Sequence, residues 1–308
     1  MAIISSASTR VAYVPEVTPG TTPATPSFKP LRVTKAGDWT PGKSTSKSDE
    51  LTGDRNVKDE MMLGLDPTGS YNFELAYGAL DDILEGALFG TWASNVLKNG
   101  VARKTFTIEE TLAPGTANLF RRYPMAMVNT LSLSITAREK ITGSFGMMAQ
   151  KIVPATAAIA GATYAAAGAT RPMTGSGSVG ALSIPGGTFK ARSLNIEITN
   201  NLATRPIVGD LYSDEFREGD FEATGTVEVY LSSNAPLEAV IAHGGGALSV
   251  TLGSVANEKY TISLPDIVWL NAAERIGART EDAMYPLPFR ARLDETLGAT
   301  IGITRAVA

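Results

Sequence analysis

The chain has 308 residues and 32.4 kDa, room for two domains of about 100–150 residues each. Its 7% aromatic content, 30 Gly, 17 Pro and 44% apolar residues describe a turn-rich β protein rather than a helical or disordered one. The net charge of −4, split as +1 over residues 1–154 and −5 over 155–308, excludes a basic surface that holds nucleic acid by charge. With no cysteine there is no disulfide, thiolate or Cys-ligated metal chemistry.

Residues 1–30 carry Pro at 15, 19, 23, 26 and 30 among Thr and Ser, which bars a helix or a central strand. They read as an extended N-terminal arm. Val11, Tyr13, Val14 and Val17 are its candidate contacts with a neighbour. The first 17 residues lack the basic leader and apolar run of a signal peptide, so folding in a reducing cytoplasm is expected.

A strand-like "LRVTKAGDW" follows at 31–39, then a polar hairpin over 40–68. Asp49, Glu50, Asp54, Arg55, Lys58, Asp59 and Glu60 lie in that hairpin. "GSYNFELAY" (69–77) alternates as a strand, and Leu80, Ile83, Leu84, Ala87 and Leu88 then fall on one helical face. Strands are expected at 103–110, 129–136 and 143–149. Residues 154–188 are rich in Ala, Gly, Thr and Ser and mark a linker; "ATAAIAGATYAAAGA" (155–169) is too interrupted and too short for the ~20 apolar residues of a membrane span.

The same order then recurs. "SLNIEIT" (193–199) opens it, an acidic stretch with Asp214, Glu215, Glu218 and Asp220 follows, and "GDFEATGTVEVYL" (219–231) alternates without a break. A short helix is expected at "NAPLEAVIAHG", and strands at "KYTISLP", "LPFRARLD" and "ATIGITRA". Four anchors keep nearly one offset: Gly69 to Gly225 is 156, Leu80 to Leu237 is 157, Lys104 to Lys259 is 155, and Gly143 to Ala299 is 156. The chain therefore reads as an internal duplication: arm 1–30, domain 31–153, linker 154–188, domain 189–308.

Chemistry-bearing motifs are few. His243, the single histidine, stands in "HGGG" (243–246), but no G-x-S-x-G and no second His accompany it, so it reads as a helix C-terminus with Gly supplying the left-handed turn. "GSGSVG" (175–180) matches the dinucleotide pattern in a Gly/Ser linker with no helix to follow. The acidic clusters match no Ca²⁺ loop and are interleaved with Arg55, Lys58 and Arg217. No catalytic, cofactor or metal residue is expected, and the chain reads as no enzyme.

The runs "RVAYVPEVTPGTTPATP", "SKSDELTGDRNVKD", "GSYNFELAYGALDDILEGALFGTW", "MVNTLSLSITAREKITGSFGMM" and "LDETLGATIGITRA" resemble the major tail tube proteins of long, non-contractile-tailed bacteriophages, over essentially the whole chain. The resemblance implies a mainly β fold of two tandem tail-tube-type β-sandwich or barrel domains, each with one short α-helix. Neighbours would join into a closed multi-stranded β-barrel ring. It further implies a structural virion protein that assembles in the host cytoplasm and stacks as rings, six domains per ring. With the duplication, three chains then make a pseudo-sixfold ring; six chains are the alternative. The hairpin and arm would bridge rings, tape measure, terminator and tip proteins would be further partners, and viral DNA would pass an acidic lumen without specific binding. The candidate lumen groups, on the polar parity of their strands, are Glu74, Glu197, Glu222 and Glu228. The alternative is a tandem β-sandwich binding module for carbohydrate or host-surface adhesion, which would present an aromatic platform; Trp39, Trp92 and Trp269 lie far apart in sequence.

Overall fold

The computed structural model describes residues 4–51, 53–112 and 118–307. In chain order, β1 (Thr9–Pro15) and β2 (Ser27–Pro30) are followed by β3 (Lys43–Lys47) and β4 (Glu60–Leu65), the two limbs of the expected hairpin. Next come β5 (Thr68–Glu74), α1 (Asp81–Leu88), β6 (Val96–Lys98), β7 (Phe106–Leu112), β8 (Leu119–Thr136) and β9 (Thr142–Met148). The stretch expected as a linker holds β10 (Val153–Ala155), β11 (Thr163–Tyr164) and β12 (Val179–Ser183). The second half contributes β13 (Ala191–Thr199), β14 (Ala203–Arg205), β15 (Glu215–Arg217), β16 (Glu222–Tyr230), α2 (Ala235–Ile241), β17 (Gly245–Leu252), β18 (Tyr260–Trp269), β19 (Met284–Ala291) and β20 (Gly302–Arg305).

Strict alternation sets the faces. On β13, Leu194, Ile196 and Ile198 are buried; on β16, Ala223, Val227 and Val229 are. Their polar neighbours stand on the opposite face, as the two-residue period of a strand requires. The apolar face of the sheet formed by β5, β9, β8, β13, β16 and β19 meets a second layer. Phe73, Leu131, Ile196 and Ile198 line a small cavity of about 40 Å³ with Leu80 and Leu84 of α1 and with Tyr260, Ile262, Ile301 and Ile303. α1 forms because its apolar residues recur at helical spacing and all of Ile83, Leu84, Ala87 and Leu88 are buried. It ends at Phe89, whose left-handed backbone (φ 46°) returns its N–H to Glu85 O.

β8 is 18 residues long because it serves both layers. Its first part pairs with β7 (Phe106 opposite Ala126 through Leu112 opposite Leu119) and its second with β9 and β13. The change falls where Met125 adopts φ 54° and a bulge lies between Val128 and Thr130, the device that bends a strand and steepens its twist.

Strand pairing runs in the same order through each half. In the first, residues 34–40 lie beside β5 (Asp38 N–H to Ser70 O, 3.3 Å; Thr40 N–H to Thr68 O, 2.9 Å). β5 then pairs with β9, β9 with β8, β8 with β7, and β7 with β1. In the second, β13 pairs with β16, β16 with β19, β19 with β18, β18 with β17, and β17 with β12. Both halves also send their last strand back to the long one: β10 to β8 and β20 to β18. Gly69 and Gly225 occupy matching places, and each is held there by crowding. A Cβ on Gly69 would strike the Trp39 ring, and one on Gly225 would strike Asn195 O and the Phe289 ring.

Two of the four sequence anchors do not survive this comparison. Lys104 precedes β7 and Lys259 precedes β18, whereas β7 pairs as β17 does; Gly143 lies in β9, whose counterpart is β19 and not the strand near Ala299. The first half has seventeen residues (89–105) between α1 and β7, and the second has three (242–244) between α2 and β17. The insertion carries β6, which pairs with β20 and so ties the halves together, alongside the β8–β13 ladder.

Within one chain the sheet is open, and no closed barrel is found among the described residues. The arm expectation also differs from what is observed. β1 pairs along its whole length with β7, and Val11, Tyr13 and Val14 are buried in the chain's own interior; only Val17 is fully exposed. The prolines begin where the strand ends, at Pro15, so they do not interrupt its ladder. The expected linker is a strap: Ile159, Ala162 and Tyr164 pack on Ala12, Val14 and Phe28, and β11 runs parallel to β2. At the end of α2 the left-handed residue is His243 (φ 49°), not a glycine. Gly245 is needed instead because a side chain there would meet Ile267 O.

Candidate functional site

The polar face of the larger sheet is one continuous surface, ordered by register. Asn72, Ser144, Ser132, Glu197, Thr224 and Arg290 form one row across six strands. Glu74, Thr142, Ser134, Asn195 and Thr226 form the next. Hydroxyls dominate and bond one another, as in Ser132–Ser144 (2.9 Å). Glu74, Glu197, Glu222 and Glu228 all share the parity of this face. Glu74 accepts from Lys140 (2.6 Å) and Glu228 lies 3.7 Å from Arg275. Glu197 and Glu222 are exposed and form no ion pair among the described residues. The surface is thus a hydroxyl carpet with a few carboxylates, less acidic than the carboxylates alone suggest.

The hairpin groups lie elsewhere. Asp49, Glu50, Asp54, Arg55, Lys58, Asp59 and Glu60 are all exposed, with Asp54 and Lys58 3.6 Å apart. The same hairpin exposes Leu51, Val57, Met61, Met62 and Leu63. Among the described residues nothing covers them, and the hairpin is anchored at its base by Leu65 N–H to Leu211 O (2.7 Å) and Ser213 Oγ to Asp66 (2.7 Å). In the second acidic cluster, Glu215 is bound by Arg205 (2.7 Å), and Glu218 by Arg103. Among the described residues no three ligating side chains gather as a metal site. Among the same residues no helix is long and apolar enough to cross a membrane. The tryptophans form no common platform: Trp39 stacks on Tyr123 (4.1 Å), Trp92 lies under Arg305 (4.4 Å), and Trp269 is buried.

Sequence reasoning missed two buried carboxylates, Glu109 and Glu110 on β7, which are 0% and 1% exposed. Both sides of β7 are covered, by the strap on one side and the interlayer core on the other. Glu109 receives Arg122 Nε (2.8 Å) and the Tyr164 hydroxyl (2.6 Å). Glu110 receives Gly37 N–H (2.7 Å), the Tyr71 hydroxyl (3.0 Å) and the Tyr123 hydroxyl (3.2 Å), while Trp39 Nε1 donates to Tyr71 (2.8 Å). Glu110 thereby fixes the 34–40 segment at the sheet edge. The signal that was present, "EE" ending a strand, reads ordinarily as a solvated strand end.

Burial, and then the neighbouring carboxylate, pushes the Tyr164 hydroxyl up to about 12. Tyr71, Tyr123, Tyr13 and Tyr260 are raised as well, burial again first. A raised phenol favours the folded state while neutral, so its contribution is complete below the unfolded value of about 10 and is lost as pH climbs through the folded one. Urea midpoints are therefore expected to change little up to about pH 9 and to fall between about pH 10 and 12. An unchanged midpoint at about pH 12 would contradict the buried phenol network.

A sequence model of the family described as phage tail tube protein matches residues 6–291, and the chain belongs to that family. No curated protein matches the chain. Family membership places the chain in the virion tail as a structural protein that associates with itself.

Proposed function

We propose that this phage tail tube protein closes with two further copies into a ring, and that the rings stack into a tube whose channel is lined by the hydroxyl-rich face. The observation that carries the reading is the repeated pairing order: two units per chain, each offering the same strand sequence to one sheet. If the ring has the six units that the family resemblance implies, three chains fill it, and six chains remain the alternative should only one unit enter the barrel. An open sheet with unpaired edges is a liability unless closed, and closure leaves the polar face inward around water.

That face suits passage of DNA. A duplex carries about one negative charge per 1.7 Å, and a wall dominated by neutral hydroxyls, with Glu197 and Glu222 unpaired and Lys140 and Arg275 set against carboxylates, offers it little cationic hold beyond Arg290. The exposed apolar side chains of the 40–68 hairpin fit a contact with the next ring. On this reading the chain is no enzyme, needs no cofactor, assembles in the host cytoplasm and meets tape measure, terminator and tip proteins at the tube's ends. Hollow tubes in electron micrographs of the purified chain test it, and chains that stay single at every concentration count against it.

A further inference from the structure

Inside the chain the two halves are joined by a seven-pair antiparallel ladder, from Thr130 opposite Thr199 to Thr136 opposite Ser193. Each half should carry both sides of such a joint, yet one chain uses only one of each. β13 has β16 on one side and β8 on the other; its counterpart, residues 34–40, has β5 on one side and no strand on the other among the described residues. β8 continues to Thr136, whereas β18 stops at Trp269 and residues 270–283 run on almost without strand pairing.

We infer that residues 270–283 of one chain pair with residues 34–40 of the next, copying the internal β8–β13 ladder. The register follows from the pairs themselves. Arg275 bridges Met284, which neighbours Tyr230, as Ser134 faces Thr142, which faces Glu74. Ser134 in turn faces Asn195, whose partner Thr226 stands four residues before Tyr230. Four residues before Glu74 is Ser70, and Ser70 faces Asp38. Arg275 of one copy is therefore opposite Asp38 of the next, to within one residue, and the two are of opposite charge and exposed. In antiparallel pairing such directly opposite unlike charges are favourable partners.

Independent exposure points to the same end of the chain. Ile276, which takes the place of Ile135, is 73% exposed against 7%. α1 buries five residues, while α2 buries Pro236 and leaves Ile241 75% exposed. A second copy in head-to-tail contact supplies the missing cover, because the contact repeats one the chain already makes. The joint between chains is weaker than the internal one. Gly37 N–H is held by Glu110, and Pro41, on the edge-facing parity, has no N–H to donate, a blunting that discourages indiscriminate edge pairing.

The inference rests on the ring reading, and cross-linking separates the two. The chain has no cysteine of its own, so Asp38→Cys with Arg275→Cys places a single pair across the proposed joint, at a non-hydrogen-bonded position where Cβ atoms lie close. On mild oxidation most of this variant is expected to run as covalent multimers that collapse on reduction. Each single variant, and the off-register pair Asp38→Cys with Glu281→Cys, stays monomeric in denaturant. Tubes of wild-type chain with no cross-linking in the first pair, or equal cross-linking in the off-register pair, would overturn the inference and leave the ring reading standing. No wild-type assembly and no cross-linking would remove both. Should the cysteine pair not fold, Asp38→Arg is expected to abolish assembly and added Arg275→Asp to restore it; assembly unaffected by Asp38→Arg, or no restoration, overturns the register.

Discussion

Replacing Glu110 by alanine lowers the unfolding free energy by about 4 kcal/mol, because two buried phenols and one half-buried N–H lose their acceptor at once and each unmet buried group costs about 1–3 kcal/mol. Gly37 N–H, the Tyr71 hydroxyl and the Tyr123 hydroxyl all end on this carboxylate. The two phenols have little access to water in its place, since Tyr71 and Tyr123 are buried and Trp39 is stacked over Tyr123. Glu110→Gln keeps one acceptor oxygen and is expected to lose about half as much. The urea midpoint with its slope measures both. A loss under about 1 kcal/mol for the alanine variant would mean that the network does not hold the sheet edge. The same substitution frees the 34–40 segment, so tube assembly is expected to fail even where the chain remains folded.

Charge reversal on the polar face acts on passage rather than on folding. Glu222→Lys with Glu228→Lys changes the face by four charges in each chain, on side chains that are exposed or half-buried and make no hydrogen bond to the backbone among the described residues. Folding and ring formation are expected to continue. A cationic wall then binds phosphate by releasing counterions from DNA, and every phosphate neutralised strengthens the hold. Infectious titre should fall by at least about tenfold with tails of normal length, and partly recover when ejection is triggered at higher salt. Unchanged titre would sink the assignment of this face to the channel.

How much of this was legible beforehand depended on side-chain period. β16 and β13 were readable because every second residue is apolar and one face is wet; α1 was readable because its apolar residues repeat at helical spacing. β7 was placed, but not the burial of both its faces, since covering by the strap leaves no mark in the strand itself. The strap was unreadable for the same reason: Ala, Gly and Thr show no period, yet small side chains let residues 159–164 lie flat on β1 and β2. Of the candidate site, the polar-face carboxylates were placed by parity alone. Val11, Tyr13 and Val14 were not, because proline spacing spoke for an arm while the seven residues up to and including the first proline supplied a complete strand. Of the four repeat anchors, the first two fall at matching places in the pairing order, while the segment at 89–105 throws the last two out of step.

The central claim is that the edges one chain leaves open are closed by further copies of itself into a channel. Electron microscopy of the purified chain at rising concentration tests it most directly. The account predicts hollow tubes of stacked rings, each ring threefold in its chains and nearly sixfold in its units. Persistent single chains, or aggregates without a central channel, would contradict it.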